Sequence, residues 1–194
     1  MHRVFLLSPA HCGGKRAGIL MRAQARFDLA LRLRGEGAAI AEVFTFMSGL
    51  YFRGKVAYSS AFANPPAGCP GVRVIVPGVG LAAPDYLVDL TTLRLIAQIP
   101  VDKDEVRYRE PLLVDAAELR DQLAGDTEVI LLGSVATPKY LEPLRGVFGD
   151  RLRFPAEFVG RGDMSRGSMM LKCARESREL TYVGLPGTSK GAAA

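Results

Sequence analysis

The loop at residues 8–14, Ser-Pro-Ala-His-Cys-Gly-Gly, carries the densest group of side chains that can do chemistry. His11 is the only histidine beyond position 2, and an imidazole serves readily as an acid or a base near neutral pH. Gly13 and Gly14 let a backbone approach a ligand closely. Cys12 beside His11 leaves a Cys–His nucleophile open, with a small buried thiol as the alternative. The loop therefore predicts a catalytic or substrate-binding site, or else only a tight turn.

Basic residues follow this loop and recur in two later segments. Lys15 and Arg16 open a helix-like segment, where acidic residues are usual, so we expect an anion from outside the chain there. Residues 49–58 interleave Tyr51 and other aromatic residues with basic ones, which is typical of base stacking and phosphate contact, or else of core packing with solvated charges. Residues 160–167 (GRGDMSRG) precede a helix that Asp163 or Ser165 can cap. The predicted phosphate-binding residues are Lys15, Arg16, Arg53, Lys55, Arg161 and Arg166.

Two further glycine-bearing loops complete the set of candidate sites. Residues 77–85 (PGVGLAAPD) contain a lone G-x-G at Gly78 and Gly80, which is a weak dinucleotide signal because the third glycine is missing. Asp85 either caps the next helix or contributes a carboxylate to a site. Gly133 ends an apolar run at residues 128–133. We expect substrate contacts from these three glycines.

The elements that must position these loops repeat as strand, glycine loop and helix. Apolar runs at 3–8, 72–77, 128–133 and 152–158 predict buried strands. Alternation of such strands with helices predicts an α/β fold, a three-layer sandwich with a central, mainly parallel, four-stranded sheet and helices on both faces. Ligands of such folds bind at the carboxyl ends of the strands. The loops 8–14, 77–85, 133–138 and 159–165 lie there.

The helix predictions follow apolar spacing. Helices are expected over 15–34, about 54–62, 86–98, 116–125 and 139–149, and from near residue 165 onward. Residues 38–47 fit either a helix or a strand. Residues 101–115 are strongly charged and predict an irregular insertion or a short hairpin. A polar, strand-like piece, ELTYVGL, comes near the end of the chain.

Bulk composition narrows the classes of protein. The 194 residues predict one domain over 1–186, with 187–194 as a flexible tail. No apolar run approaches the ~18 residues of a membrane span, and we expect no membrane partner. Three cysteines and two histidines predict neither a disulfide framework nor a zinc site, so we expect a cytoplasmic protein without metal or cofactor.

The charge is unevenly distributed along the chain. The net charge is +5, but residues 1–55 hold nine basic and three acidic residues, and residues 151–178 hold seven and three. Residues 85–128 hold five basic and eleven acidic residues. If the two basic regions share a face, the protein has the electrostatic footprint of nucleic-acid binding. An arginine-rich, solvated surface is the alternative.

Several of these segments together resemble the uracil-DNA glycosylase superfamily. RVFLLSPAHCGG (3–14) occupies the place of that family's first strand and water-activating loop. EVILLGSVATPKYLEPL (128–144) resembles its third strand and the following helix, and RFPAEFVGRGDMSRG (153–167) resembles its last strand and minor-groove loop. LYFRGKVAY (50–58) and VIVPGVGLAAPDYLV (74–88) also resemble small domains that accompany systems for nucleic-acid base modification. The first loop has no carboxylate or amide, and Phe154-Pro155 stands where the family has His-Pro.

The resemblance implies a DNA glycosylase-like hydrolase that removes a modified or damaged base, with DNA favoured over RNA as the nucleic acid. In this hypothesis His11 activates water or protonates the leaving base, and Asp163, or less favourably Asp85, stabilises the sugar cation. Tyr51 stacks on the flipped base. Further substrate contacts are assigned to Cys12, Gly13, Gly14, Gly78, Gly80, Gly133 and Ser165.

Two other functions fit the sequence. One is a non-catalytic nucleic-acid-binding domain on the same scaffold, favoured by the absence of a carboxylate from the first loop. The other is an α/β enzyme acting on a small nucleotide or phosphosugar. Salt separates them, because polyanion binding weakens steeply with ionic strength and binding of one small phosphate does not.

Overall fold

The fold is built on a mainly parallel sheet of six strands, seen in a computed structural model that describes residues 1–184. The strand order is β4-β3-β1-β6-β7-β8, in which the inner four strands are parallel and the two outer strands pair antiparallel. These strands are β1 (Arg3–Leu7), β3 (Val72–Val76), β4 (Gly80–Ala82), β6 (Glu128–Leu132), β7 (Leu152–Pro155) and β8 (Tyr182–Gly184). A separate two-stranded ribbon pairs β2 (Ala38–Ala39) with β5 (Leu87–Val88).

Eight α-helices accompany the sheet within the described residues. They are α1 (Lys15–Leu20), α2 (Asp28–Arg34), α3 (Ile40–Ser48), α4 (Leu50–Phe62), α5 (Leu90–Ala97), α6 (Val106–Gln122), α7 (Pro138–Phe148) and α8 (Asp163–Arg175). Short 3-10 turns at Gly149–Arg151 and Ala156–Phe158 flank β7.

The central strand β1 shows how the sheet organises the core. Its side chains alternate, so Phe5 and Leu7 belong to one apolar cluster whereas Val4 and Leu6 belong to the other. The first cluster includes buried residues of α1 to α5 and α8, and the second includes those of α6 and α7. Successive side chains of a strand point to opposite faces, so the two apolar clusters contact opposite faces of β1.

The predicted mixed α/β fold with a mainly parallel sheet is confirmed, but the predicted number of four strands is wrong. The additional strands are the short antiparallel edges β4 and β8. Gly78 and Gly80 have φ values of +80° and +110°, which turn the chain back so that Ala82 pairs with Val74. The strand β8 lies within the strand-like piece ELTYVGL that the sequence indicated, whereas β4 has only three residues, too few for alternation to be recognised in a sequence.

The prediction of one continuous helix over 15–34 is also wrong, as is the prediction of an insertion or hairpin over 101–115. Residues 15–34 form two helices, because tertiary contacts hold the intervening segment: the Arg34 guanidinium donates to the carbonyls of Arg22 and Ala25, and Phe27 stacks on Phe46. Residues 101–115 are mostly part of α6, whose charge and internal proline disguised it. Its buried positions Tyr108, Leu112, Ala116 and Leu119 nevertheless recur at helical spacing.

Among the described residues, no helix combines the length and apolarity needed to cross a membrane. The predicted tail at 187–194 lies outside the described residues, as do the last two residues of the predicted domain.

Candidate functional site

A pocket of about 470 Å³ opens at the carboxyl ends of the parallel strands β1, β3 and β6. Residues 8–13 after β1 form one side of it, and Pro77 after β3 and Ser134 after β6 contribute neighbouring positions. Residues 96–101 at the end of α5 supply an apolar wall. The remaining lining residues come from α3 and α4, from the start of α7 and from Asp163 at the start of α8. The volume lies in the range of small-molecule sites.

The two main catalytic candidates of the sequence line this one pocket. His11 and Asp163 are 152 positions apart in the chain, yet both are exposed and both face the pocket. The Asp163 carboxylate also lies 3.6 Å from the Arg166 guanidinium. Gly13 leaves room for the His11 ring, since a Cβ at position 13 would lie only 3.2 Å from two ring atoms. The pocket thus combines an acid–base group with a carboxylate.

Cys12 also lines the pocket, but its surroundings do not activate it. Burial raises the pKa of the Cys12 thiol to about 11, and its Sγ donates a weak hydrogen bond to the Ala10 carbonyl at 3.6 Å. A thiol is a nucleophile only as the thiolate. The Cys–His pair that the sequence left open therefore has no support in this environment.

Two tyrosines form an aromatic floor beneath the loop. Tyr51 of α4 and Tyr140 of α7 are both buried and both line the pocket. Burial raises the pKa of Tyr51 to about 12, against the opposing influence of nearby Arg166, and burial also raises the pKa of Tyr140. The Tyr51 hydroxyl is buried and has no hydrogen-bond partner within residues 1–184. Both hydroxyl groups therefore stay protonated at neutral pH.

Lys55 is not on the surface, and its predicted phosphate contact is wrong. The side chain is fully buried, with 1% of its surface exposed. Its Nζ donates to the Ser8 carbonyl at 2.9 Å, is hydrogen bonded to Ser8 Oγ at 2.7 Å, and lies 4.0 Å from the centre of the Tyr51 ring. Burial lowers the pKa of Lys55 to about 7. The sequence missed this because charged side chains are almost never fully buried.

The predicted phosphate contact of Arg166 is also wrong, because its guanidinium faces inward. Its Nε and Nη2 donate to the Phe158 carbonyl at 3.1 and 2.9 Å, and only 8% of the residue is exposed. The buried arginine therefore connects the turn after β7 to α8 by hydrogen bonds, and its guanidinium is not available to bind a nucleic-acid phosphate.

Asp85 does not belong to the pocket. It lies exposed in the turn before β5, and the lining residues do not include it. Nor does it cap α5, since Asp89 takes that place and accepts from the Thr92 backbone N–H at 2.7 Å. The capping alternative for Asp85 is therefore wrong, and this pocket gives no support to its catalytic assignment.

Of the glycines and the serine that were predicted to contact substrate, some line the pocket and others do not. Gly13 lines the pocket, whereas Gly78 and Gly80 shape the β3–β4 turn, and Gly14 and Ser165 lie outside the lining. Gly133 leaves room for the Ser8 side chain, because a Cβ at position 133 would lie 2.9 Å from Ser8 Cβ. The pocket therefore gives no support to direct ligand contacts by Gly14, Gly78, Gly80, Gly133 and Ser165.

A basic groove continues from the pocket across α4 and α8. Ser48 lines both the pocket and a shallow groove that contains Arg16, Arg53 and Met164. Arg53 also lines the next depression, which contains Arg175. All three arginines are exposed, as are Lys15 and Arg161. The two basic regions of the sequence therefore meet on one face, and this groove is called the basic groove below.

Four pocket residues were missed as functional candidates. Ser8 and Ser134 stand directly after β1 and after Gly133, and Lys139 and Tyr140 begin α7. The signal that locates them is position, since all four lie in or beside loops that follow parallel strands. The residue types alone are too common to single them out.

No known protein-family model, curated protein or solved structure matches this chain. The resemblance to the glycosylase superfamily therefore stays a prediction. Within residues 1–184, no group of three or more His, Cys, Asp or Glu side chains is arranged to hold a metal ion.

Proposed function

We propose that this protein is a DNA glycosylase-like enzyme that hydrolyses the N-glycosidic bond of a modified or damaged base. The observation that carries the proposal is the convergence of His11 and Asp163 in one pocket with an aromatic floor. Cleavage of this bond builds positive charge on the sugar and negative charge on the leaving base. The pocket offers a carboxylate from Asp163, an acid–base group from His11 and a cation from Lys139, which are the groups that such a reaction needs.

In the proposed mechanism, Asp163 lies beside the sugar and stabilises its developing positive charge. His11 takes a proton from the attacking water, whose oxygen forms the new bond to the anomeric carbon as the bond to the base nitrogen breaks. The departing base carries the released electron pair, and the Lys139 ammonium group at the pocket wall stabilises it. Tyr51 and Tyr140 would contact the base with the edges of their rings. Lys55 lies over one face of the Tyr51 ring, so that face is not free to stack on the base.

A polymeric substrate is supported by the basic groove. Flipping a base into a pocket costs a few kcal/mol, which contacts to flanking phosphates offset. Arg16, Arg53 and Arg175 provide such contacts along a path that begins at the pocket rim. Helices on both faces of the sheet, as in a three-layer sandwich, suit an enzyme whose site gathers the loops that follow the parallel strands. All three cysteines are free thiols, which fits the proposed cytoplasmic location.

The test is base excision from labelled oligonucleotides that carry a panel of modified bases, single- and double-stranded, read out as strand cleavage after alkali. We expect cleavage at one lesion, reduced about 100-fold or more by His11→Ala or Asp163→Asn. Asp85→Asn is the matched control and should retain full activity, because Asp85 lies off the pocket. Full excision by both pocket variants, at unchanged thermal stability, would refute the assignment of roles.

A second candidate is favoured by the concave shape of the pocket, which also suits a free nucleotide or nucleoside. Excision products from mononucleotides, with oligonucleotides left intact, would favour this small-molecule enzyme. Salt-sensitive oligonucleotide binding without any cleavage would instead favour a non-catalytic binding domain.

A further inference from the structure

Ser8 and Lys55 form a hydrogen-bonded pair at the inner end of the pocket that the glycosidic mechanism does not use. Ser8 directly follows β1 and lines the pocket, although only 3% of the residue is exposed. Lys55 Nζ lies 2.7 Å from Ser8 Oγ, and its bond to the Ser8 carbonyl fixes the amine in place. The absence of a Cβ at Gly133 makes room for the serine side chain. A hydroxyl in a ligand pocket is thus held against a buried amine.

The surroundings of Lys55 favour the uncharged amine. No carboxylate within residues 1–184 is in ion-pair contact with the amine, although the ring faces of Tyr51 and Phe52, at 4.0 and 5.3 Å, favour its charged form. Asp163 of α8 favours the charged form, whereas Arg166 of α8 and Lys139 of α7 oppose it. Burial is the largest influence, and it lowers the pKa of Lys55 to about 7. At pH 8 a neutral Nζ therefore offers a lone pair to the Ser8 hydroxyl proton.

We propose that Ser8 and Lys55 are a serine–lysine nucleophilic pair, which gives the pocket a second activity: acyl transfer from a small carboxylic ester to Ser8. Serine–lysine pairs are a known variant of nucleophile and base. This activity goes beyond the proposed glycosidic function and does not depend on it.

The proposed step balances as follows. Ser8 Oγ attacks the ester carbonyl carbon while its proton passes to Lys55 Nζ, and the tetrahedral intermediate then expels the alcohol, which takes the proton back from Lys55. Water next attacks the acyl-serine, gives a proton to Lys55 and releases the carboxylic acid as the Ser8 oxygen is reprotonated. Each half-reaction forms one bond to the carbonyl carbon and breaks one, and no oxidant or cofactor is needed.

Other nucleophiles in the pocket lack a base. The Cys12 thiol stays protonated at neutral pH because burial raises its pKa. Ser134 Oγ accepts from the Ala136 backbone N–H at 3.3 Å, a turn contact, and within residues 1–184 no hydrogen bond joins it to an amine. The apolar wall at residues 96–101 favours a short, uncharged acyl chain next to Ser8. Reactivity at Ser8 alone is therefore the distinctive expectation.

The test is labelling by a small alkyl fluorophosphonate probe between pH 6 and 9, with the modified residue located by peptide mass spectrometry. We expect wild type to be labelled at Ser8, at a rate that rises about tenfold from pH 6 to 8 as Lys55 loses its proton. Ser60→Ala, at an exposed position on α4 outside the pocket, is the matched control and should be labelled like wild type, whereas Ser8→Ala should not be labelled. Lys55→Met, which keeps the length of the side chain without its amine, should lose labelling at least about 100-fold.

Two measurements keep the result decisive. The pH profile should persist in His11→Ala, which excludes the imidazole as the titrating group. Mass spectrometry of labelled wild-type protein does not depend on the folding of any variant. It therefore tests the role of Ser8 even if Lys55→Met is unstable. Absence of labelled Ser8 in folded wild type, or equal labelling of a folded Lys55→Met, would overturn the pair. Base excision is a separate readout, so failure of either activity leaves the other interpretable.

Discussion

At the scale of single residues, Lys55 is the most unusual side chain in the molecule. A charged residue in LYFRGKVAY is expected on the surface, yet the helical spacing of Tyr51, Lys55 and Tyr58 places all three on the buried face of α4. That i, i+4, i+7 spacing was present in the sequence and would have located Lys55 correctly. Its amine group, however, needed the Ser8 carbonyl and hydroxyl, which lie 47 positions earlier and become neighbours only through the fold.

The depressed pKa of Lys55 makes stability depend on pH. An unfolded lysine keeps its proton up to about pH 10.4, whereas the folded one loses it above about pH 7. Between these values the unfolded state binds more protons, so stability rises with pH. The destabilisation by Lys55 is absent above the unfolded pKa, grows as the pH falls towards 7, and is constant below it.

We therefore expect Lys55→Met to gain stability relative to wild type as the pH falls from 10 to 7. The change is on the order of a few kcal/mol, because each pKa unit corresponds to about 1.4 kcal/mol. Urea unfolding of both proteins at pH 6, 7, 8.5 and 10 measures it. Arg109→Gln, an exposed position on α6, serves as the control and should show no such trend. A pH-independent difference between Lys55→Met and wild type would mean that the buried amine keeps an ordinary pKa.

At the scale of elements, the close contact between α4 and α8 positions the pocket. Gly54 and Gly167 face each other: a Cβ on Gly54 would lie 2.7 Å from the Gly167 carbonyl oxygen, and a Cβ on Gly167 would lie 2.6 Å from the Leu50 carbonyl oxygen. Helix backbones approach this closely only where no side chain intervenes. Because α4 carries Tyr51 and Lys55, and α8 begins at Asp163, this contact sets the spacing between pocket residues.

Gly167→Ala should destabilise the protein by about 1–3 kcal/mol, since overpacking forces the two helices apart. The control is Gly18→Ala in α1, where the added methyl group meets nothing within 4 Å. That change should stabilise by up to about 1 kcal/mol through helix propensity. Urea midpoints compare the two variants, and equal effects of the same sign would show that the α4–α8 contact tolerates a methyl group.

The edge strand β4 depends on a single carboxylate from α6. Asp115 Oδ2 accepts from the Leu81 backbone N–H at 2.6 Å, so Asp115→Ala leaves a partly buried donor unpaired. We expect a loss of about 1–3 kcal/mol in the free energy of unfolding. Exposed Glu118 on the next turn of α6 is the control, and Glu118→Ala should stay within about 0.5 kcal/mol. Hydrogen exchange at Leu81 should speed up only in Asp115→Ala, and an unchanged rate there would contradict the role of the carboxylate.

The elements differ in how far the sequence predicted them. The strands β1, β3 and β6 were predicted within one residue because their runs are apolar and bounded by Pro or Gly. The loop after β1 was predicted as a site from its histidine, cysteine and glycines, and because ligands bind at the carboxyl ends of parallel strands. The break between α1 and α2 and the edge strand β4 depend on contacts between distant segments, such as Arg34 with Arg22 and Asp115 with Leu81. No local pattern contains that information.

At the scale of the whole molecule, the two basic regions of the sequence come together on one side. The acidic segment 85–128 contributes helices to both apolar clusters, α5 to the first and α6 to the second, so its charge is not confined to one side of the sheet. The basic groove lies on the α4–α8 side and gathers Arg16 and Arg53 from the first basic region with Arg175 from the second. The sequence predicted the two regions but not their meeting, which requires the fold.

The basic groove predicts how the affinity for duplex DNA depends on salt concentration. Duplex binding should weaken with a log–log slope near −0.9 for each phosphate that the protein neutralises. Removing Arg53 and Arg175 together should therefore reduce the steepness of that slope by about two, and should weaken binding to all sequences alike. Fluorescence anisotropy of a labelled duplex at five salt concentrations measures both quantities. The matched control is Arg109→Gln combined with Arg94→Gln, two exposed arginines outside the basic groove, which keeps the net charge equal to that of Arg53→Gln with Arg175→Gln. If the two double variants lose the same slope, the attraction comes from net charge alone and the groove does not track the phosphate backbone.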